Sequence, residues 1–125
     1  MRKWCALCWI LLLLGCQVNE ADAPELQTRE AQQIGSASVV MEAEIKEIGP
    51  VRPVNFGFLW DTQPDITIAS AKNKIVLGLA NDPRIFSIKL DKLTPSTQYF
   101  FRGFAANGDF SKIYYGNTVT FTTLP

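Results

Sequence analysis

The chain has 125 residues, with 12 basic and 12 acidic side chains and no formal net charge. This length predicts one domain, and the balanced charge without a basic cluster argues against a nucleic-acid partner. Histidine is absent and the three cysteines all lie within residues 1–16. The remainder of the chain therefore lacks disulfides and the commonest metal ligand and general base, and we expect neither a metal nor a cofactor.

Residues 1–15 have the features of an export signal. Two basic residues precede an apolar segment at 4–14, which is too short for a bilayer span of about 20 residues. The segment Leu13-Leu14-Gly15-Cys16 resembles the lipobox of bacterial lipoproteins. The resemblance implies cleavage after Gly15 and acylation of Cys16, whose two or three acyl chains would anchor the protein in a membrane. A plain secretory signal with an incidental cysteine is the alternative.

Residues 16–26 are polar and poor in aromatic side chains, which predicts a flexible tether. Gln17, rather than an aspartate, follows Cys16, and in lipoproteins similar to this one that favours the outer membrane. Acidic residues at 20, 22 and 25 resemble a surface-export tag, although a solvated spacer explains them equally well. We therefore expect a lipid-anchored protein of the bacterial envelope, facing either the periplasm or the cell surface.

From about residue 27, short runs of alternating apolar and polar residues are separated by Gly, Pro and Asn. This period of two predicts half-buried strands, whereas no stretch has a helical period. A first strand is expected near 26–32, and a polar loop at 61–73 contains one helical turn at 68–71. The other predicted strands are 38–45, 54–60, 74–79, 84–90, 97–106 and 114–123. Six or seven strands of this length predict a sandwich of two sheets.

The segment from Leu93 to Tyr99 resembles the L-x-P-x-T-x-Y signature of fibronectin type III domains. The resemblance implies that the Tyr99 ring packs inward and its hydroxyl bonds the backbone a few residues upstream. It also implies that Pro95 shapes the preceding turn and that Leu93 fills the core. Residues 27–125 are therefore expected to form one all-β, immunoglobulin-like sandwich of the fibronectin type III kind, with about seven strands.

Alternation along 97–106 predicts two faces for this strand. The residues expected to point inward are Tyr99, Phe101, Gly103 and Ala105. Phe100, Arg102 and Phe104 are expected to face outward, next to Tyr115 on the neighbouring strand. Aromatic and arginine side chains dominate interface energetics, so this set is a candidate binding face. The alternative is a cross-strand ladder in which Arg102 stacks on the rings.

The loop 107–112 is a second candidate binding site. Fibronectin type III domains, which this sequence resembles, use this loop for adhesion. Phe110 is expected at its exposed tip. The usual adhesive tripeptide Arg-Gly-Asp is absent, since the loop reads Asn107-Gly108-Asp109. An aromatic ring that folds back on its own sheet is the alternative.

No pattern typical of catalysis is present. Glu42 and Glu44 share one strand face, where solvated acids are expected rather than a glycosidase pair, and the loop aspartates fit turns better than Ca²⁺ ligands. Nucleophile and phosphate-binding motifs are missing, so we expect no enzyme. The predicted function is an envelope-anchored, non-catalytic lipoprotein whose module binds a protein or glycan of the envelope or host. A structural spacer or accessory subunit of a larger envelope complex is the alternative.

Overall fold

The structure is a computed structural model that describes residues 22–125. The predicted signal, the cleavage site at Gly15 and the acylated Cys16 lie outside the described residues. The described part contains eight β-strands: β1 (Glu25–Thr28), β2 (Val39–Glu47), β3 (Val54–Asp61), β4 (Asn73–Ala80), β5 (Arg84–Leu90), β6 (Gln98–Ala106), β7 (Ile113–Tyr115) and β8 (Val119–Thr122). Between Asp22 and Pro125, no helix is long and apolar enough to cross a membrane.

The strands form two antiparallel sheets. The small sheet has the order β1-β2-β5, and the large sheet has the order β4-β3-β6-β7, with β8 also paired to β6. β8 pairs with the first half of β6 and β7 with the second half, because the predicted strand 114–123 is interrupted at 116–118. The predicted all-β, two-sheet sandwich is confirmed, with eight strands instead of about seven.

The first strand differs most from its predicted position. β1 begins at Glu25, so the last two residues assigned to the tether belong to the sheet. Leu26 packs against the core, and this apolar contact outweighs the polar composition that suggested a tether. β1 ends at Thr28, and beyond it Gln32 makes an isolated bridge to Val40.

The core lies between the two sheets and follows the predicted alternation. Val39, Met41, Ala43 and Ile45 of β2 are fully buried, as the sequence pattern predicted. From the opposite sheet, Phe58 packs against Phe86 with ring centroids 5.0 Å apart, and neighbouring rings continue this aromatic cluster. Each fully buried apolar side chain contributes about 1.5–3 kcal/mol, so this layer is the main source of stability.

Tyr99 lies at the start of β6 with its ring buried. The ring stacks on Phe121, with centroids 5.5 Å apart. The peptide N–H of Thr94 donates to the Tyr99 hydroxyl at 2.9 Å, which ties the 91–97 loop to the strand. Leu93 packs against the core beside it, and the carbonyl of Pro95 accepts a hydrogen bond from the Thr97 hydroxyl at 2.9 Å.

Replacing Tyr99 by phenylalanine is expected to lower the free energy of unfolding by about 1 kcal/mol, because the Thr94 N–H loses its acceptor while the ring stays packed. Urea denaturation measures this change. Tyr114→Phe is the matched control, since Tyr114 is half-buried and its hydroxyl makes no hydrogen bond within the described residues. Equal losses in the two variants would contradict a stabilising hydrogen bond at Tyr99.

The sandwich has two ends. The N-terminal pole comprises residues 22–24 and the loops 48–53, 81–83 and 107–112, because β1 starts where β2 ends and β3 starts where β4 ends. The C-terminal pole comprises the segments 29–38, 62–72, 91–97 and 123–125. Consequently, the first and last described residues lie at opposite poles.

Candidate functional site

The outer face of the large sheet carries the predicted binding face, but it is not open to solvent. Residues 62–72, which we call the flap, fold over it as a third layer. Leu59, Ile66, Phe104 and Ala106 form a second buried cluster there. The partly buried residues packed around this cluster are Ile68, Ala71, Phe100, Phe110, Ile113 and Tyr115.

Asp61, the last residue of β3, fixes both ends of the flap. Its carboxylate accepts the backbone N–H of Thr62 at 2.6 Å and that of Lys72 at 3.1 Å. Between these ends the Ala71 N–H donates to the Thr67 carbonyl at 2.9 Å and closes one turn, as the sequence predicted for this stretch. The flap is therefore a closed, hydrogen-bonded loop that turns its isoleucines toward the sheet.

Arg102 joins the sheet to the flap. Its Nε and Nη2 donate to the Gly116 carbonyl at 2.9 and 2.8 Å, and Nη1 donates to the Ile66 carbonyl at 3.1 Å. The guanidinium lies over the Tyr115 ring, 4.6 Å from its centroid. Burial lowers the pKa of Arg102 from its ordinary value. Because three of its five N–H donors bond to backbone carbonyls of the domain, Arg102 acts here as a structural cation.

The expectation that Phe104 faces solvent is wrong. The side chain does point away from the main core, yet it is fully buried because the flap covers it. Phe110 has φ = 60° and is half-buried, with its ring centroid 6.5 Å from that of Phe104. The tip of the 107–112 loop thus folds back onto the sheet, which is the alternative considered above.

Tyr115 and Phe100 complete the predicted set, and both are half-buried. The Tyr115 hydroxyl accepts the Ile68 N–H at 2.9 Å, so it also holds the flap. The structure therefore brings all five predicted side chains together. Together they support the flap. This arrangement is closer to the cross-strand ladder, in which Arg102 stacks on the rings, than to an open binding face.

The residues of the flap that complete this cluster were missed by sequence reasoning. Ile66, Ile68 and Ala71 are three of the four apolar residues of the flap, and the fourth, Ala69, is exposed. Their spacing matches neither a strand nor a long helix, so periodicity does not reveal them. Four apolar side chains in one loop were the available signal that this loop has a buried side.

The small sheet has a charged cluster on its outer face. Arg29 donates to Glu42 at 3.0 Å and to Glu44 at 2.7 Å. Hydrogen bonds to Glu44 and Glu42 raise the pKa of Arg29. The two glutamates do share one face, but a cation bridges them and no cleft separates them. Within residues 22–125, no group of three His, Cys, Asp or Glu side chains is placed to hold a metal ion.

A groove separates the chain after β1 from the free side of β8. It has a volume of about 830 Å³, and its lining combines the apolar residues Ile34, Val119 and Phe121 with polar and charged residues such as Arg29 and Glu30. At one end, the Asn117 side chain accepts the Thr28 N–H at 2.9 Å and donates to the Thr28 carbonyl at 3.1 Å. At the other end, the Leu124 N–H donates to the Gly35 carbonyl at 2.9 Å. The groove is thus bridged at both ends.

Comparison with family models finds no match, and neither does comparison with curated proteins. Solved structures do match. The sensor domain of the anti-sigma factor RsgI4 of Pseudobacteroides cellulosolvens superposes with a TM-score of 0.60 at 16% identity, over 84% of this chain and 98% of that one.

Two further matches are β-sandwich domains. The fibronectin type III domain of human fibronectin type III domain containing protein 3 has a TM-score of 0.54 at 14% identity, over 89% of this chain and 93% of that one. A computationally redesigned β-sandwich protein has a TM-score of 0.53 at 20% identity, over 83% and 96%. The predicted immunoglobulin-like sandwich of the fibronectin type III kind is therefore confirmed as the fold of the described residues.

Proposed function

We propose that the chain is an envelope-anchored, non-catalytic lipoprotein whose sandwich joins a protein assembly at the membrane. The resemblance of residues 13–16 to a lipobox supports anchoring through Cys16, with the outer membrane favoured by Gln17. The free edge of β4 carries the proposal of a protein partner. The function is thus that of an accessory subunit that binds its partner by strand addition.

The exposed apolar surface favours a protein over a glycan as partner. Ligand sites commonly use aromatic walls, yet every aromatic side chain in residues 22–125 is buried or half-buried. The exposed large apolar side chains of this part are aliphatic: Val51, Val76, Leu79, Ile85 and Leu124. Aliphatic side chains along a sheet edge suit a strand from another protein better than a sugar ring.

The sheet edges differ in how well they are protected. Natural proteins guard edges by keeping them short or charged. β1, β7 and β8 have three or four residues each, and β5 carries Arg84 and Lys89 among its seven residues. β4 is the longest edge strand, with eight residues and one charged side chain, Lys74, and it exposes Val76 and Leu79. β4 is therefore the edge most open to pairing.

A bulge limits where β4 accepts a partner. The pairing of β4 with β3 shifts register between Phe56 and Gly57, which leaves Leu77 as the extra residue. Gly57 is required there, because a Cβ atom at this position would collide with the backbone carbonyl of Ile75. Regular geometry resumes at 73–76, so we expect the partner strand to pair with this half of β4.

Replacing Val76 by lysine is expected to lower the recovery of a stoichiometric partner by about tenfold, which corresponds to about 1.4 kcal/mol of binding. The measurement is affinity purification of the full-length chain from detergent-solubilised membranes, with the partner quantified by mass spectrometry. Thr122→Lys is the matched control, because it places the same charge on an exposed position of β8.

Two results would contradict the proposal. If the wild-type chain is purified without any stoichiometric partner, the proposed function as an accessory subunit is contradicted. A partner that Val76→Lys and Thr122→Lys retain equally would show that binding uses a surface other than β4.

A further inference from the structure

The chain enters the domain at a fixed place. A Cβ atom on Gly49 would lie 3.1 Å from the backbone of Ala23, so the first described residues pack closely on the loop 48–53. Asp22 and Pro24 line a small cavity of about 160 Å³ together with Val51 and Tyr114. The start of the described chain, at Asp22, is therefore held at the N-terminal pole.

The same pole has the most exposed large apolar side chains of the described residues. Val51 is 64% exposed, Leu79 58% and Ile85 55%. Leu79 and Ile85 flank the 81–83 turn, and Arg52 Nη1 donates to the Asn81 carbonyl at 3.3 Å, which holds the 48–53 loop beside that turn. Val51, Leu79 and Ile85 are thus three exposed aliphatic side chains at or next to the N-terminal pole, with Leu79 on the outer face of the large sheet and Ile85 on the outer face of the small sheet.

The length of chain before the domain restricts its orientation. Residues 17–21 separate Cys16 from Asp22, and six Cα–Cα steps of about 3.3–3.6 Å reach at most about 22 Å. β2 has nine residues and runs between the two poles, a length of about 30 Å at about 3.3 Å per residue. A domain turned upside down would need Asp22 about 30 Å above the membrane, which exceeds this reach.

We infer that the N-terminal pole faces the membrane and that the exposed side chains of Val51, Leu79 and Ile85 near this pole contact the lipid surface. The inference depends on the proposed anchoring through Cys16. Aliphatic side chains bury favourably at the boundary between headgroups and acyl chains. Arg52, Asp82 and Lys112 give this pole charges of both signs, so contact does not require anionic lipids.

Site-specific quenching tests the orientation. The mature chain would have Cys16 as its one cysteine, with an acylated sulfur, so an introduced cysteine is the one reactive thiol. Val51→Cys, Ile85→Cys and Leu124→Cys are labelled with a fluorophore and reconstituted in phosphatidylcholine vesicles with a nitroxide on the headgroup. Ile85 and Leu124 are matched in exposure, at 55% and 52%, but lie at opposite poles.

We expect labels at residues 51 and 85 to be quenched at least about threefold more strongly than the label at residue 124, because the C-terminal pole lies about 30 Å from the lipid. Cys16→Ser should abolish quenching at all three positions. Quenching that is equal at both poles, or stronger at residue 124, would overturn the orientation.

The intact mass of the mature protein separates failure of this inference from failure of anchoring. A mass with acyl chains and equal quenching overturns the orientation alone. A mass without acyl chains overturns both the anchoring and the orientation that rests on it.

Discussion

Phe104→Ala is expected to lower the free energy of unfolding by about 3–5 kcal/mol, the range for removing a buried aromatic side chain. Phe104 is fully buried between β6 and the flap, and its loss would leave a cavity in the second cluster. Urea denaturation of the domain, followed by circular dichroism, measures the change. A side chain presented to a ligand on an open surface would cost much less.

Two further variants test the reason for this loss. Phe104→Leu keeps most of the volume and is expected to cost less than about 1.5 kcal/mol. Phe100→Ala removes a half-buried ring of the same strand and should fall between the two. A loss below about 0.5 kcal/mol for Phe104→Ala, typical of surface positions, would show that the flap does not cover this residue.

Arg102→Met is expected to cost about 2–4 kcal/mol, because hydrogen bonds to charged groups contribute about 1.5–3 kcal/mol each and this site is partly exposed. Methionine retains the apolar stem but cannot donate to the carbonyls of Gly116 and Ile66. The flap should also open more often, and amide hydrogen exchange at Ile68, whose N–H donates to Tyr115, would report this opening.

Lys89→Met provides the comparison for Arg102→Met. Lys89 is exposed on β5, and its ammonium makes no ion pair within residues 22–125. We expect its replacement to change stability by less than about 0.5 kcal/mol. If Arg102→Met left the exchange rate of Ile68 unaltered, Arg102 would have no part in holding the flap.

The main core was predictable because alternation leaves little freedom. In β2 every second residue from Val39 to Ile45 is apolar, and a shift of the strand by one residue would place glutamates in the core. The alternation alone therefore predicts which face of β2 points inward. The break between β7 and β8, which begins at Gly116, could not be predicted from alternation. The interruption between β7 and β8 depends on Asn117 turning to the backbone of Thr28, a contact between residues far apart in sequence.

The candidate site was predicted in position but not in exposure. Alternation in β6 places Phe100, Arg102 and Phe104 on the outer face, and the structure agrees. Alternation predicts on which face of the sheet each side chain of a strand lies. It contains no information on whether another segment covers that face. Whether the flap covers that face is decided by Asp61 and by the apolar residues of the loop, which come from outside the strand.

The placement of residues 22 and 125 at opposite poles has a mechanical consequence. A pulling force between them acts along the strand axes, whereas hydrogen bonds between antiparallel strands run across those axes. The hydrogen bonds between β1 and β2 and those between β8 and β6 would therefore be loaded simultaneously, in shear. They would not break one after another. A domain loaded in this way resists extension between its two ends.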